Sequence, residues 1–124
     1  MLKLTLIHLR SYRVPKPLLV FGQPWRDVTY SLHRGAELDL LEAARFYRRE
    51  GGAKLAGRFL DEFHRVVNLL VEFPGLGTPA DELRRVHILQ DFPYSVIYRE
   101  DGEAIRILVV KSQYRDPEYG ESRS

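Results

Sequence analysis

Arg84, Arg85 and His87 stand close together in the second half of the chain, and Lys111, Arg115 and Tyr119 form a second group near its end. Guanidinium and ammonium groups donate charge-assisted hydrogen bonds to phosphate or carboxylate oxygens, while imidazole and phenol can exchange a proton. The chemistry open to such a set is stabilisation of developing negative charge with proton transfer, or recognition of an anionic surface. Each residue also has a plainer use. Arg84 and Arg85 open a strand, where a charged pair commonly keeps an edge solvated. His87 shares the strand face of Arg85, so the two form either a small basic patch or ordinary packing. Arg115, in the string Arg115-Asp116-Pro117-Glu118-Tyr119, is placed to pair with Asp116 or with an acid of the helices and so pin the tail to the sheet.

Other chemistries are excluded. With no cysteine in the chain there is no disulfide, thiolate metal site or cysteine nucleophile. The four histidines, His8, His33, His64 and His87, lack ligand-like spacing, so neither a metal nor a cofactor is expected. Nucleophile-elbow, P-loop, dinucleotide and HExxH signatures are missing; the glycines of PGLGTP (74–79) are not followed by Lys-Ser/Thr. The net charge of +2 and pI near 9.0 mislead. Residues 1–26 carry five basic groups and no acid, whereas residues 27–124 carry fourteen basic and seventeen acidic groups, a net of −3. Binding of nucleic acid by the main part of the chain would therefore need a local cluster, not a global field.

The elements that must hold these residues follow from periodicity. Val28, Tyr30 and Leu32 alternate with polar residues as a short strand. The period then lengthens: Ala36, Leu40, Ala43, Ala44 and Tyr47 mark an amphipathic helix ended by Gly51-Gly52. Ala56, Phe59, Leu60, Phe63, Val66, Val67 and Leu70 stripe a second helix closed by Pro74-Gly75, and so short a break implies an antiparallel hairpin. PGLGTP reads as a loop, then come strands around Val86 and Ile88, from Tyr94 to Tyr98, and from Ile105 to Val110, with Asp101-Gly102 as a hairpin turn. The last strand is apolar on both faces apart from Arg106, as a central strand should be. The fold class is α+β, ordered β-α-α-β-β-β, with the helical hairpin on one face of a mainly antiparallel sheet.

Residues 1–26, with three prolines and no acid, read as an N-terminal extension or as a product of a wrongly assigned start, the natural one then lying at Val28. Residues 27–120 make one domain and 121–124 a tail. The apolar runs 2–9 and 18–21 fall short of the roughly 18–20 residues that span a bilayer, and basic residues interrupt a signal-peptide pattern. The expectation is a cytoplasmic protein with no membrane contact.

Four strings, LDLLEAARFYRRE (38–50), LAGRFLDEF (55–63), LRRVHILQDFPYSVIYRE (83–100) and ILVVKSQYRDPEY (107–119), occur in an order and spacing that resemble the RelE/ParE toxin superfamily. The likeness is nearer to the ParE-like branch, with its acidic-then-aromatic first helix, Arg-Arg pair, F-P-Y-x-[IV]-x-Y strand and terminal R-D-P-x-Y. Two departures are visible: Ser112 or Gln113 stands where relatives often have His, and Gly120 where they have Trp.

The resemblance implies the toxin of a type II toxin–antitoxin system, associated with plasmid stabilisation and growth inhibition. RelE-like members cut mRNA on the ribosome, whereas ParE-like members are described as poisons of DNA gyrase. Metal-free RNA cleavage must activate the 2′-hydroxyl, stabilise a phosphorane and protonate the 5′-oxygen. The residues that do so in RelE-like enzymes correspond here to Val86, Ile88, Ser95 and Gln113, with Tyr119 alone retained. The resemblance therefore points to gyrase binding without catalysis. The alternatives are an endoribonuclease using Tyr119 with Arg84, Arg85 or Arg115, and a module that binds antitoxin without being toxic. Target contacts are expected at Arg84, Arg85, His87, Lys111, Arg115 and Tyr119. A ParD-like antitoxin is expected in a groove lined by Tyr47, Phe59 and Phe63, with operator DNA bound only through that antitoxin.

Overall fold

The computed structural model describes residues 11–14 and 28–124. Apart from Ser11–Val14, the extension inferred for residues 1–26 lies outside the described residues. The strands are β1 (Ser11–Val14), β2 (Val28–Leu32), β3 (Thr78–Pro79), β4 (Arg84–Ile88), β5 (Tyr94–Asp101) and β6 (Ala104–Ser112), in one sheet of order β1-β2-β6-β5-β4-β3. All neighbours are antiparallel except β2 and β6, which pair in parallel from Tyr30↔Ile105 to Leu32↔Ile107. β6 lies between β2 and β5, where its apolar character on both faces is required. The α+β expectation holds.

Between β2 and β3 the helical run Arg34–Glu72 is interrupted at Gly51 and Gly52. Gly52 has φ 80° and ψ −176°, a backbone region that only glycine occupies without strain. The two arms are α1 (34–50) and α2 (53–72). Tyr47 and Phe59 would lie roughly 18 Å apart along an unbroken helix, yet their ring centroids are 5.2 Å apart. The chain folds back at the glycine pair as a helical hairpin.

Ala36, Leu40, Ala43 and Ala44 of α1 and Phe59, Phe63, Val66, Val67 and Leu70 of α2 are buried with Val96, Tyr98, Ile105, Ile107 and Val110 of the sheet. At one end Tyr47, Phe59, Phe92 and Tyr94 form an aromatic cluster with centroid separations of 5.0–6.0 Å. Each such pair adds about 0.5–1.5 kcal/mol to the burial of its rings. This corrects one expectation: Phe59 and Phe63 are fully buried and line no groove, because their stripe is the face that α2 turns to the sheet.

The segment PGLGTP is not wholly a loop, since Thr78 and Pro79 pair with Val86 and Arg85. Tyr98 holds it from below: its hydroxyl accepts from the Gly77 N–H at 2.9 Å and donates to the Pro74 carbonyl at 2.7 Å. Burial raises the pKa of that phenol, keeping it neutral. A Cβ at Gly77 would lie 2.6 Å from the Tyr98 hydroxyl and 2.9 Å from the Val86 carbonyl, so no larger residue fits.

Gly52 in the break and Gly57 in α2 separate conformation from packing, since neither has a neighbouring atom where a Cβ would stand. Gly52→Ala should cost about 1–3 kcal/mol through backbone strain, whereas Gly57→Ala should stabilise by about 0.5–1 kcal/mol through helix propensity. Denaturant unfolding of the two variants checks both signs.

Candidate functional site

β2 leaves the sheet after Leu32, so the edge of β6 beyond Ile107 has no strand beside it. Asp39 of α1 takes that place. Its Oδ2 accepts from the Val110 N–H at 3.1 Å and from Arg123 Nη1 at 2.7 Å, and its Oδ1 accepts the Tyr119 hydroxyl proton. Arg123 also donates to the Leu108 carbonyl at 3.0 Å and to the Tyr119 oxygen at 3.0 Å. The Asp39 side chain is 4 % exposed and that of Arg123 15 %. A carboxylate so buried is tolerable only because every direction around it is answered.

Arg115 and Tyr119 belong to this knot. The Arg115 guanidinium lies 4.3 Å from the Tyr119 ring centroid and 3.3 Å from Glu42 of α1, so of the two pairings open to it, Asp116 or an acid of the helices, it takes the second. Burial, and then the hydrogen bond to Asp39, raise the pKa of Tyr119. A phenol in that state, with its proton already donated, is poorly placed to act as a general acid.

Period-two alternation separates the other sequence candidates. Arg85 and His87 pair with Tyr98 and Val96 and so face the helices, while Arg84, Val86 and Ile88 face the opposite, open side. Arg85 donates to the carbonyls of Gly77 at 2.7 Å and Gly75 at 3.3 Å, closing the turn that Tyr98 holds. The pKa of His87 is lowered, first by burial and then by Arg65. Thus one of this pair is spent on backbone carbonyls and the other favours its neutral form; they form no basic patch.

The open face is organised in rows across the strands. One row holds Arg84, Arg99, Arg106 and Ser31 directly opposite one another on β4, β5, β6 and β2. The next holds Val86, Ile97 and Val109, and the third Ile88, Ser95 and Lys111. The C-terminal segment crosses this face: Lys111 Nζ donates to the Pro117 carbonyl at 2.8 Å, and Arg84 Nη1 to that of Glu121 at 3.0 Å. Gly120 lies against Val109, where an added Cβ would come within 2.5 Å of Cγ2. Val86, Ile88 and Ser95 share one face, and Lys111 is the cation directly across from Ser95.

Asp39, Arg99, Arg106 and Arg123 were not singled out from sequence. Asp39 has a signal, since it stands on the stripe of Ala36, Leu40 and Ala43 where a carboxylate is out of place. Arg106 has one too, as the sole charge in the run Ile105–Val110. Arg123 carries none.

Removing one member of the buried pair leaves the other unanswered. Asp39→Ala should cost about 3 kcal/mol in denaturant unfolding, and Arg123→Ala should loosen the tail so that trypsin cleaves at Arg115 faster than in the unaltered protein. Acid should also weaken the fold. Burial is the first cause of lowered pKa values at His33, His64 and His87, each from 6.5; the His33 Nδ1 must stay unprotonated to accept the Gly35 N–H at 2.9 Å that caps α1. The unfolded chain binds these protons more readily, so stability is complete above about pH 6.5 and falls as pH drops below it. Unfolding midpoints between about pH 7.5 and 5 check the slope, and His33→Asn, which keeps a capping oxygen, should flatten part of it.

Comparison with known proteins agrees with this architecture. Residues 30–117 match the family described as ParE toxin of type II toxin-antitoxin system, parDE. A solved structure from P. aeruginosa titled "Chromosomal ParDE TA system" is similar in fold, with TM-score 0.59 and 24 % identity over 67 % of this chain and 92 % of that one. No curated protein matches the sequence. With the family's model matching residues 30–117, most of its length, the chain belongs to the ParE toxin family of type II toxin–antitoxin systems.

Proposed function

We propose that this toxin halts growth by binding DNA gyrase and performs no RNA cleavage. The observation that carries this is the composition of the open face. Metal-free phosphodiester cleavage needs converging cations and an available proton donor, but the corresponding positions hold Val86, Ile88 and Ser95, and the Tyr119 hydroxyl is committed to Asp39. Lys111, the cation across from Ser95, is tied to the Pro117 carbonyl, and Arg84, the cation flanking Val86, to Asp81 and the Glu121 carbonyl. A binding surface has no such requirement, because it works by shape, apolar contact and charge. The exposed Tyr114 and Ile88 and the cations Lys111, Arg115 and Arg84 supply these around the tail.

A cognate ParD-like antitoxin neutralises the toxin in this proposal, and contact with operator DNA passes through the antitoxin. The P. aeruginosa structure is titled as such a two-component system. With Phe59 and Phe63 buried, the outer side of α1 remains for an antitoxin helix: Leu38 and Phe46 are 53 % and 42 % exposed, and Tyr47 is half-buried beside them. Among the described residues no helix is long and apolar enough to cross a membrane, which accords with action in the cytoplasm, where gyrase works.

Induction of the full chain in a bacterial host should arrest growth, with plasmid DNA relaxed or broken and transcripts intact in samples from one culture. Cut transcripts with unchanged topology would transfer the chain to the endoribonuclease class. Normal growth in the presence of soluble folded protein would leave a binding module that has lost its toxicity.

A further inference from the structure

The groups that receive Arg123 stay in place without it. Its Nη1 donates to Asp39 Oδ2 at 2.7 Å and to the Leu108 carbonyl at 3.0 Å, its Nη2 donates to the Tyr119 oxygen at 3.0 Å, and its Cζ lies 4.8 Å from the Tyr119 ring centroid. Gly35 of α1 completes the seat by lacking a side chain, because a Cβ there would collide with the guanidinium carbon. A carboxylate, two neutral acceptors in fixed directions and an aromatic ring suit a planar guanidinium; a compact ammonium of equal charge does not match them all. Asp39 and Gly35 belong to α1 and Leu108 to β6, while Tyr119 is held separately by its bond to Asp39 and by Arg115 over its ring.

The segment that carries the guanidinium is held by little else. Glu121, Ser122 and Ser124 are exposed, and among the described residues their other hydrogen bond to the sheet is the exposed one from Arg84 to the Glu121 carbonyl. Gly120, at φ 79°, forms a left-handed joint between the anchored Tyr119 and this segment. A groove of about 440 Å³ lined by Leu83, Arg84, Arg99, Leu108 and Arg123 opens beside the seat, and the Arg123 side chain keeps 15 % exposure. Asp39, 4 % exposed, cannot be left without a cation, so simple departure of Arg123 is costly. Exchange for a second guanidinium carries no such cost. We infer that Gly35, Asp39, the Leu108 carbonyl and Tyr119 form a guanidinium-binding site, filled at rest by the chain's own Arg123 and able to take a guanidinium from outside, which releases residues 121–124 from the sheet. The inference stands on the geometry of this seat, whichever cellular target the toxin acts on.

Two arms test it, one with the seat vacated and one with it filled. In Arg123→Ala the unfolding temperature should drop, and ethylguanidinium should restore it saturably, with half the effect at about 1–10 mM. Ethylammonium at the same ionic strength should restore little, and adding Asp39→Asn to the variant should abolish the rescue. In the otherwise unaltered chain, which has no cysteine, Ser122→Cys takes a single fluorophore at an exposed position. Its anisotropy should fall saturably as agmatine is added and stay level with the corresponding diamine. An Ala-Arg-Ala peptide with blocked ends separates the two sources of a guanidinium. Release at about tenfold lower concentration than agmatine supports a side chain of a partner protein, and the reverse order supports a small free ligand. Failure of ethylguanidinium to rescue Arg123→Ala would overturn the inference. So would equal rescue by ethylammonium, rescue that survives Asp39→Asn, or an anisotropy that neither guanidinium compound lowers.

Discussion

A single buried carboxylate holds the structure together at its weakest seam. β2 runs beside β6 only as far as Leu32, and α1 begins immediately afterwards, which exposes the remaining edge of β6 at the centre of the molecule. Unpaired backbone groups at such a place are costly. Asp39 supplies the missing acceptor for the Val110 N–H, and Arg123 the missing donor for the Leu108 carbonyl. Because these two side chains also pair with each other, the charge needed to close the edge is itself neutralised. The result is one connected unit of first helix, central strand and C-terminal segment. The register shift between Ile97 and Tyr98 lies opposite this seam and places Leu108 outside the regular ladder.

The fate of the tail follows from that closure. With Arg123 anchored at the edge, residues 117–121 are drawn across the open face, where Gly120 passes close over Val109 and the carbonyls of Pro117 and Glu121 meet Lys111 and Arg84. Tyr119 is thereby turned toward Asp39 instead of toward an anionic substrate. The aromatic hydroxyl serves as a structural donor. What such a fold does is set by a few side chains on one face, since function resides in the site and not in the architecture.

The opposite directions of neighbouring residues explain why two adjacent arginines have unrelated duties. Arg84 belongs to the open face and the arginine row, while Arg85 points to the helices and clamps the turn at Gly75 and Gly77. The helix side of the sheet is satisfied within the molecule, by Tyr98 at the turn and by Glu62, which accepts from the Gln90 N–H and pairs with Arg65. On the open side, Arg84 and Lys111 meet the carbonyls of the C-terminal segment, while Ile88 stays exposed.

By itself the sequence determined the local periodicities: the period-two strands, the helical stripes, the Gly51-Gly52 break and the apolar run from Ile105 that had to be central. These depend on neighbours within a few positions, and burial then enforced them as read. The four strings that resemble ParE-like toxins were also legible, and the family match over residues 30–117 agrees with them. Tertiary structure alone decided which residues meet. The bond from Arg123 to Asp39 joins positions 84 residues apart, and no local pattern marks its partner in advance. The aromatic stripe of Phe59 and Phe63 looked the same in sequence whether it faced a partner or the sheet; the direction in which the hairpin closes placed it in the core. The arginine row arises only when β4, β5 and β6 pair in one register, because it is register, not sequence separation, that brings Arg84, Arg99 and Arg106 side by side.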